Sequence, residues 1–530
     1  MAITVDGLIS GMNTTSIISQ IMEIERRPIQ LIEDKRTVLS NEKAAWQEAS
    51  TRMLALESAA AKLSSTSKFA SRSATFANNN SAAGTVMSVS SESTAVDGSY
   101  NIKVSQLAQA QKSASNQTFS SFTAAAGLSG TITIGSTNVS VTSGQSLEEI
   151  KNNITNSGAG VSATIINAGT SASQQYMLMV TGDDTGAANA FSMSTSMNLG
   201  TLSFSTTQAA QNANLTVDGV AITKSSNTVD DVIADTTLNL QTLGSGTVTV
   251  STDYDIILEN VQAFVSAYND AMDYFREQLS YDSTNQTKGT LFGNGTLMTM
   301  QNQLRAIMSG SIPGIDPTDP TKLSSLSQVG IKTDINNQLT VDTTTFSDTL
   351  KSRFTEVARL FAPSGSGTYT FISATGLTQG GVYDTKVEGG VLKLKKQGTS
   401  DWISLTQDGN YAYGATDSVL DGLLLRTGSL TEGATGTMTI TNGVASRVEA
   451  NTGSYTEFST EGLIFNQNRS IESRDAEFQD QVSDLEVRLT KKEEDLKAKF
   501  ANLEVLLAKL TSQQQYLSQQ LSSLNTNWGR

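Results

Sequence analysis

Neither proline nor glycine occurs between Glu472 and Trp528, and no other feature of the chain constrains its fold as strongly. Phe478, Val482, Leu485, Leu489, Leu496, Phe500, Leu503, Leu507, Leu510, Leu517, Leu521, Leu524 and Trp528 recur along it at alternating steps of three and four. That spacing is the seam of a long coiled-coil helix. The step from Leu496 to Phe500 carries one residue more than the heptad expects, a phase slip toward a straighter coil. Lys492 and Gln514 occupy seam positions, where a polar side chain sets register at some cost in stability.

The opening of the chain mirrors this. Ile17, Ile18, Ile21, Met22 and Ile24 fall at helical spacing behind the candidate caps Asn13 to Ser16. Glu23, Glu25, Arg26 and Arg27 follow at once, so the apolar run is far short of the ~18 residues of a membrane span. A secretory signal carries its charges before the apolar run, whereas here they come after, so no cleaved signal peptide is expected. Pro28 suits the first turn of a second, longer helix, where its missing N–H costs nothing. Leu39, Trp46, Ala49, Met53, Leu56, Ala60 and Leu63 line that helix, with Glu42 in one seam slot. One-sided helices of this kind need another protein surface. The expected protein interface is Ile17, Ile18, Ile21, Met22 and Ile24 at one end, with Leu503, Leu507, Leu510, Leu517, Leu521, Leu524 and Trp528 at the other. An intramolecular pair and an intermolecular bundle can coexist along one such stalk.

Between the helical ends the chain turns Ser/Thr/Gly-rich and alternates with period two, from about Ser73 to Ser251, in runs such as "YNIKV", "GTITI", "YMLMV" and "TVTV". "ITIGSTNVSVTSGQSLEEI" and "LTVDGVAITKSSNTVDDVI" share one plan: strand, turn, strand, capped short helix. Ser146 with Glu149 reads as a capping box, Thr228 with Asp231 as its near equivalent, and Asp218-Gly219 as a hairpin turn. Tyr254 to Leu279 is again helical, with Ile257, Val261, Phe264, Val265, Tyr268 and Met272 on one face. "GTLMTMQNQLRAIMSG" and "FSDTLKSRFTEVARLF" are further amphipathic pieces, and a Gly-dense β stretch runs from "APSGSGTYTF" as far as about Asn442.

The fold class expected is α+β and multidomain. A helical coiled-coil stalk is built from N-terminal, C-terminal and central helices, and β-rich heads are inserted into it. In residue ranges, 1–35 and 500–530 are terminal helical legs, and 36–72, 252–362 and 441–499 form the helical stalk. One β-rich head takes 73–125 and 205–251, a second head takes 126–204, and an extra inserted head takes 363–440.

Histidine and cysteine are both absent. That removes the Ser-His-Asp triad, the thiol nucleophile, thiolate zinc sites and the usual general base together. "GDDTG" and "IDPTDPTK" cluster carboxylates without calcium-loop spacing, and turn chemistry accounts for them. "YDSTNQTKGTLFGNG" lacks the order of a phosphate-binding loop. No catalytic residue, cofactor or metal is expected. A net charge of −15 argues against nucleic acid and anionic membrane as partners.

These pieces together resemble the flagellar filament-capping family, hook-associated protein 2. The opening "GLISGMNTTSIISQIMEIERRPIQLIEDK" has its pattern of glycine turn, caps, apolar helix, Glu and Pro, and "LTVDGVAITKSSNTVDDVIADTTLNL" is similar to its flagellin-type hairpin motif. "KGTLFGNGTLMTMQNQLRAIM", "NNQLTVDTTTFSDTLKSRFTEVARLF", "TMTITNGVASRVE" and the closing "LEVLLAKLTSQQQYLSQQLSSLN" keep the family's order. The likeness departs at Ala362 to about Gly436, where the extra head sits. The resemblance implies a secreted structural protein at the flagellum tip, needed for motility and exported by the flagellar type III route. It would form a small homo-oligomeric ring, a pentamer or similar, with the heads as lid and the terminal helices as legs. Its implied partners are flagellin, which it helps fold and insert, and the export machinery with its chaperone. The alternatives are a surface adhesin or another axial or junction protein of the flagellum.

Overall fold

The computed structural model describes residues 11–79, 84–457 and 462–527, and side chains as far as Ser522. The chain divides into two compact units, residues 66–259 and the remainder. It is a mixed helix and sheet protein with several separate sheets.

In the helical unit, α1 (Thr14–Glu25) starts where the Asn13 side chain accepts the Ser16 N–H at 2.8 Å. It hands over at Arg26 to α2 (Arg27–Ala61). The break has a chemical cause: Pro28 has no N–H to give to the carbonyl of Ile24, so the ladder cannot run through. Leu39, Trp46, Ala49, Met53, Leu56, Ala60 and Leu63 are all buried, the face read from their spacing. The next long helix of the chain, α3 (Tyr254–Leu279), buries Ile257, Val261, Phe264, Val265, Tyr268 and Met272. Tyr274 anchors it to α2 by donating to the Ala45 carbonyl at 2.8 Å. Further along come α4 (Gly295–Ser309), capped by Asn294, then α5 (Val444–Thr456) and the 65-residue α6 (Leu463–Asn527). The amphipathic piece expected over 346–361 is two helices, Thr343–Ser352 and Phe354–Phe361, broken at Arg353, whose backbone leaves the helical region at φ −136°.

Residues 364–441 form two antiparallel sheets around one core. Five strands run in the order Ser364–Gly367, Thr435–Thr441, Gly381–Glu388, Val391–Lys396, Ile403–Ser404. Four shorter strands between Thr370 and Arg426 cover them. Tyr383, Leu392, Leu394, Leu425, Met438 and Ile440 fill the space between. The strands by which the chain enters and leaves pair directly, Ser364 opposite Thr441. Asn442 clamps the exit, donating from Nδ2 to the carbonyls of Thr375 and Thr378 at 3.0 and 2.7 Å. Gly443 passes so close to the end of the preceding helix that a Cβ there would lie 2.1 Å from the Phe361 carbonyl carbon.

The β unit has two cores. One gathers Ile102, Val104, Leu215, Leu238, Val248 and Val250 beneath a five-stranded and a three-stranded sheet. The other gathers Ile132, Ile134, Ile150, Ile154, Leu178 and Val180 around the helix Leu147–Thr155. That helix carries the expected capping box, Ser146 with Glu149. Its expected counterpart is corrected: Thr228–Ile233 is a strand, paired antiparallel with Thr236–Leu240. Val229 and Ile233 are buried in the sheet core, and Asp231 pairs with Lys224 at 2.5 Å instead of capping a helix. The two hairpins are alike, but one leads into a helix and the other into a strand. Asp218 and Gly219 turn the second hairpin with φ of 47° and 84°, the left-handed pair such a two-residue loop requires.

Candidate self-association surface

The residues expected to meet other chains lie on α1 and α6, and the structure divides them into covered and uncovered sets. Ile18 and Met22 of α1, with Ile29 of α2, are buried in one cluster with Leu489 of α6. Val482, Leu485, Leu496 and Phe500 pack against it, half-buried. Ile17 and Ile21 are half-buried, and Ile24 is 60% exposed. The N-terminal stripe is therefore largely covered by the chain's own C-terminal helix.

The pairing is antiparallel, and ion pairs mark its register. Glu25 meets Lys492 at 2.7 Å, Lys43 meets Glu472 at 2.7 Å, and Arg36 meets Asp475 at 2.9 Å with a second bond at 3.2 Å. Glu42 lies 4.0 Å from Arg474, and the Lys35 ammonium stands 5.7 Å from the centre of the Phe478 ring. The hydrogen bonds from Arg36 hold the Asp475 carboxyl below its ordinary value, and the same contact raises the guanidinium. Each of these pairs is partly solvated, so they fix alignment more than they add stability.

Counting outward from Glu25 opposite Lys492 places Thr14 opposite about Leu503. Beyond that point α6 continues without a described partner. Leu503 is 41% exposed, Leu510 51%, Leu517 57% and Leu521 66%, with Leu507 half-buried. Each lies on the seam that begins at Phe478. The side chain of Leu524 and all of Trp528 lie outside the described residues. Among the described residues, then, one helix carries a seam that is covered upstream and bare downstream.

Ile29 and Leu489 complete the covered cluster, although neither belongs to the expected interface set. Leu489 is legible as a seam position, but no local signal says which distant helix will sit on it. The carboxylate turns hold as turns: Asp316 accepts from the Thr318 N–H at 2.9 Å, and Asp319 from the Thr321 N–H at 3.0 Å. The Thr321 hydroxyl, with that N–H and Lys322, lowers the Asp319 carboxyl to about 2.

The N-terminal model of flagellar hook-associated protein 2 matches residues 10–111, and its C-terminal model matches residues 210–512. Flagellar hook-associated protein 2 of Escherichia coli K12 is 30% identical over 444 residues, which cover 78% of this chain and 91% of that protein. The A-type flagellar hook-associated protein 2 of Pseudomonas aeruginosa is 26% identical, covering 68% of this chain and 80% of its own. A crystal structure of three domains of the Escherichia coli flagellar cap protein FliD aligns with TM-score 0.50 and 25% identity, covering 81% of this chain and 99% of that one. With the C-terminal model alone spanning more than half of the residues, the chain belongs to the flagellar hook-associated protein 2 family, the cap proteins of the bacterial flagellum.

Proposed function

We propose that this chain works as a structural subunit of the cap at the distal tip of the flagellar filament. Copies join through the bare part of the α6 seam, the β domains form the lid, and the assembly holds exported flagellin while it folds and inserts. The observation that carries this reading is the change along α6, from a seam filled by the chain's own helices to a row of exposed leucines. Five leucines, roughly half-exposed, have about 4–7 kcal/mol of burial left to gain. Association costs an estimated 4–15 kcal/mol in lost freedom, which the combined burial of two such rows meets only marginally, so this surface alone gives weak self-association. Delivery by the flagellar export apparatus and its chaperone belongs to the same proposal.

The test is genetic and structural. Deleting the gene should leave hooks intact while flagellin leaks into the medium. Restoring it with a version truncated after Gln514 should leave the β domains folded and capping lost. Normal filaments in either strain would defeat the proposal. Electron microscopy of the purified protein should reveal a stubby oligomer of fixed symmetry.

A further inference from the structure

The seam of α6 runs without a helix break through two stretches of opposite character. Between Glu472 and Lys499 there are fifteen charged side chains, and between Ala501 and Asn527 only Glu504 and Lys509. The charged stretch is the one covered by α1 and α2, and its charges meet complementary ones there: Arg36 to Asp475, Lys43 to Glu472, Glu25 to Lys492. Lys492 is the telling residue, because it occupies a seam position. In a bundle of identical helices it would face its own copies, and like charges would oppose there. Against α1 it faces Glu25, in the last turn of that helix.

We infer that the Glu25–Lys492 pair is a register lock that reserves the upstream seam for the chain's own N-terminal helix and leaves the uncharged downstream seam, Leu503 to Leu521, for the same segment of a second copy. Two arguments select that occupant. The bare seam follows the covered one from Phe500 onward at steps of three and four, so a helix packed there extends an interface already made. Its Gln- and Ser-rich flanks let identical copies approach without repulsion, a property the upstream stretch lacks. The proposal rests on the cap reading for its partner, but the lock itself is a property of one chain.

The full-length chain is the test material, with Glu25→Lys, Lys492→Glu and the double exchange. Amide exchange over Ile17–Glu25, read at concentrations where the chain is monomeric, should quicken roughly threefold or more in each single variant. The double exchange should return it to within about twofold of the original. Failure of the double exchange to restore protection would overturn the lock, because loss through general misfolding is not rescued by a second charge change. The chain has no cysteine, so Gln514→Cys introduces a unique thiol at a seam position. Oxidation should link copies through that thiol, and Leu510→Ser with Leu517→Ser should abolish the link and the self-association seen by sedimentation. A thiol that is shielded yet never links copies would mean a different occupant and would overturn the second half of the inference. The two readings fail separately. A chain that never self-associates but passes the charge-exchange test refutes cap assembly and the downstream pairing while leaving the lock, and one that associates but fails that test refutes the lock alone.

Discussion

Replacing Met22 by alanine tests whether α1 owes its structure to α6. A helix of 12 residues is marginal alone in water, so packing must hold it. Met22 is 7% exposed within the cluster formed with Ile18, Ile29 and Leu489. Truncating a buried methionine costs about 2–5 kcal/mol, and the half-buried neighbours put this site at the low end, about 2 kcal/mol. Alanine is at least as good a helix former as methionine, so the loss reports packing and not propensity. At 1.36 kcal/mol per decade, exchange over Ile17–Glu25 should accelerate about thirtyfold. Ile24→Ala, in the same helix but at a 60% exposed position, should change it by less than about threefold. Leu510→Ala should leave the monomer's exchange unchanged while weakening self-association. Hydrogen-exchange mass spectrometry at dilute concentration resolves all three. Equal effects of Met22→Ala and Ile24→Ala would refute the packing of α1 on α6.

Single contacts make further outcomes measurable. Gly443→Ala forces a Cβ to 2.1 Å from the Phe361 carbonyl carbon, which is backbone and cannot swing aside; stability measured by denaturant should fall by about 2–4 kcal/mol. Burial, then the nearby Glu449 and Glu457, raise the Glu57 carboxyl, while the Thr456 hydroxyl works against them. The folded state therefore favours protonated Glu57, and its charge costs stability above its pKa. Glu57→Gln should raise the melting temperature by roughly 1–2 °C at pH 7 and lose that advantage in acid. Asp475 has the opposite sign: Arg36 lowers it, so its contribution is present above the ordinary carboxylate value and lost as the pH falls through the lowered one. Exchange over the α2–α6 contact should quicken below about pH 4, and Asp475→Asn should remove most of that acid step.

How far the fold can be read from sequence depends on whether the signal is local. The α2 face from Leu39 to Leu63 and the α3 face from Ile257 to Met272 are legible because helical period is written in consecutive turns. The capping box at Ser146 is legible for the same reason. Thr228–Ile233 misleads because Thr228 and Asp231 imitate a cap, while the deciding partners, Leu238 and its neighbours, lie on the next strand. The heptad seam announces that α6 will pack against something. It cannot announce that Ile18 and Met22 will cover one part and leave the rest bare, since that choice rests on ion pairs joining the two ends of the sequence.

The direct pairing of Ser364 with Thr441 makes the intervening 76 residues a parenthesis in the chain, opened and closed at one point of a single sheet edge. Besides that edge the segment comes close to the helical elements backbone to backbone, Gly376 passing the Ser446 carbonyl and the Ile440 carbonyl passing Gly314. Excising it in favour of a short turn, or substituting a foreign module with adjacent ends, therefore means rejoining the chain at that edge and replacing these approaches. The connectivity of the chain sets no minimum length on what lies within, because its two ends already meet.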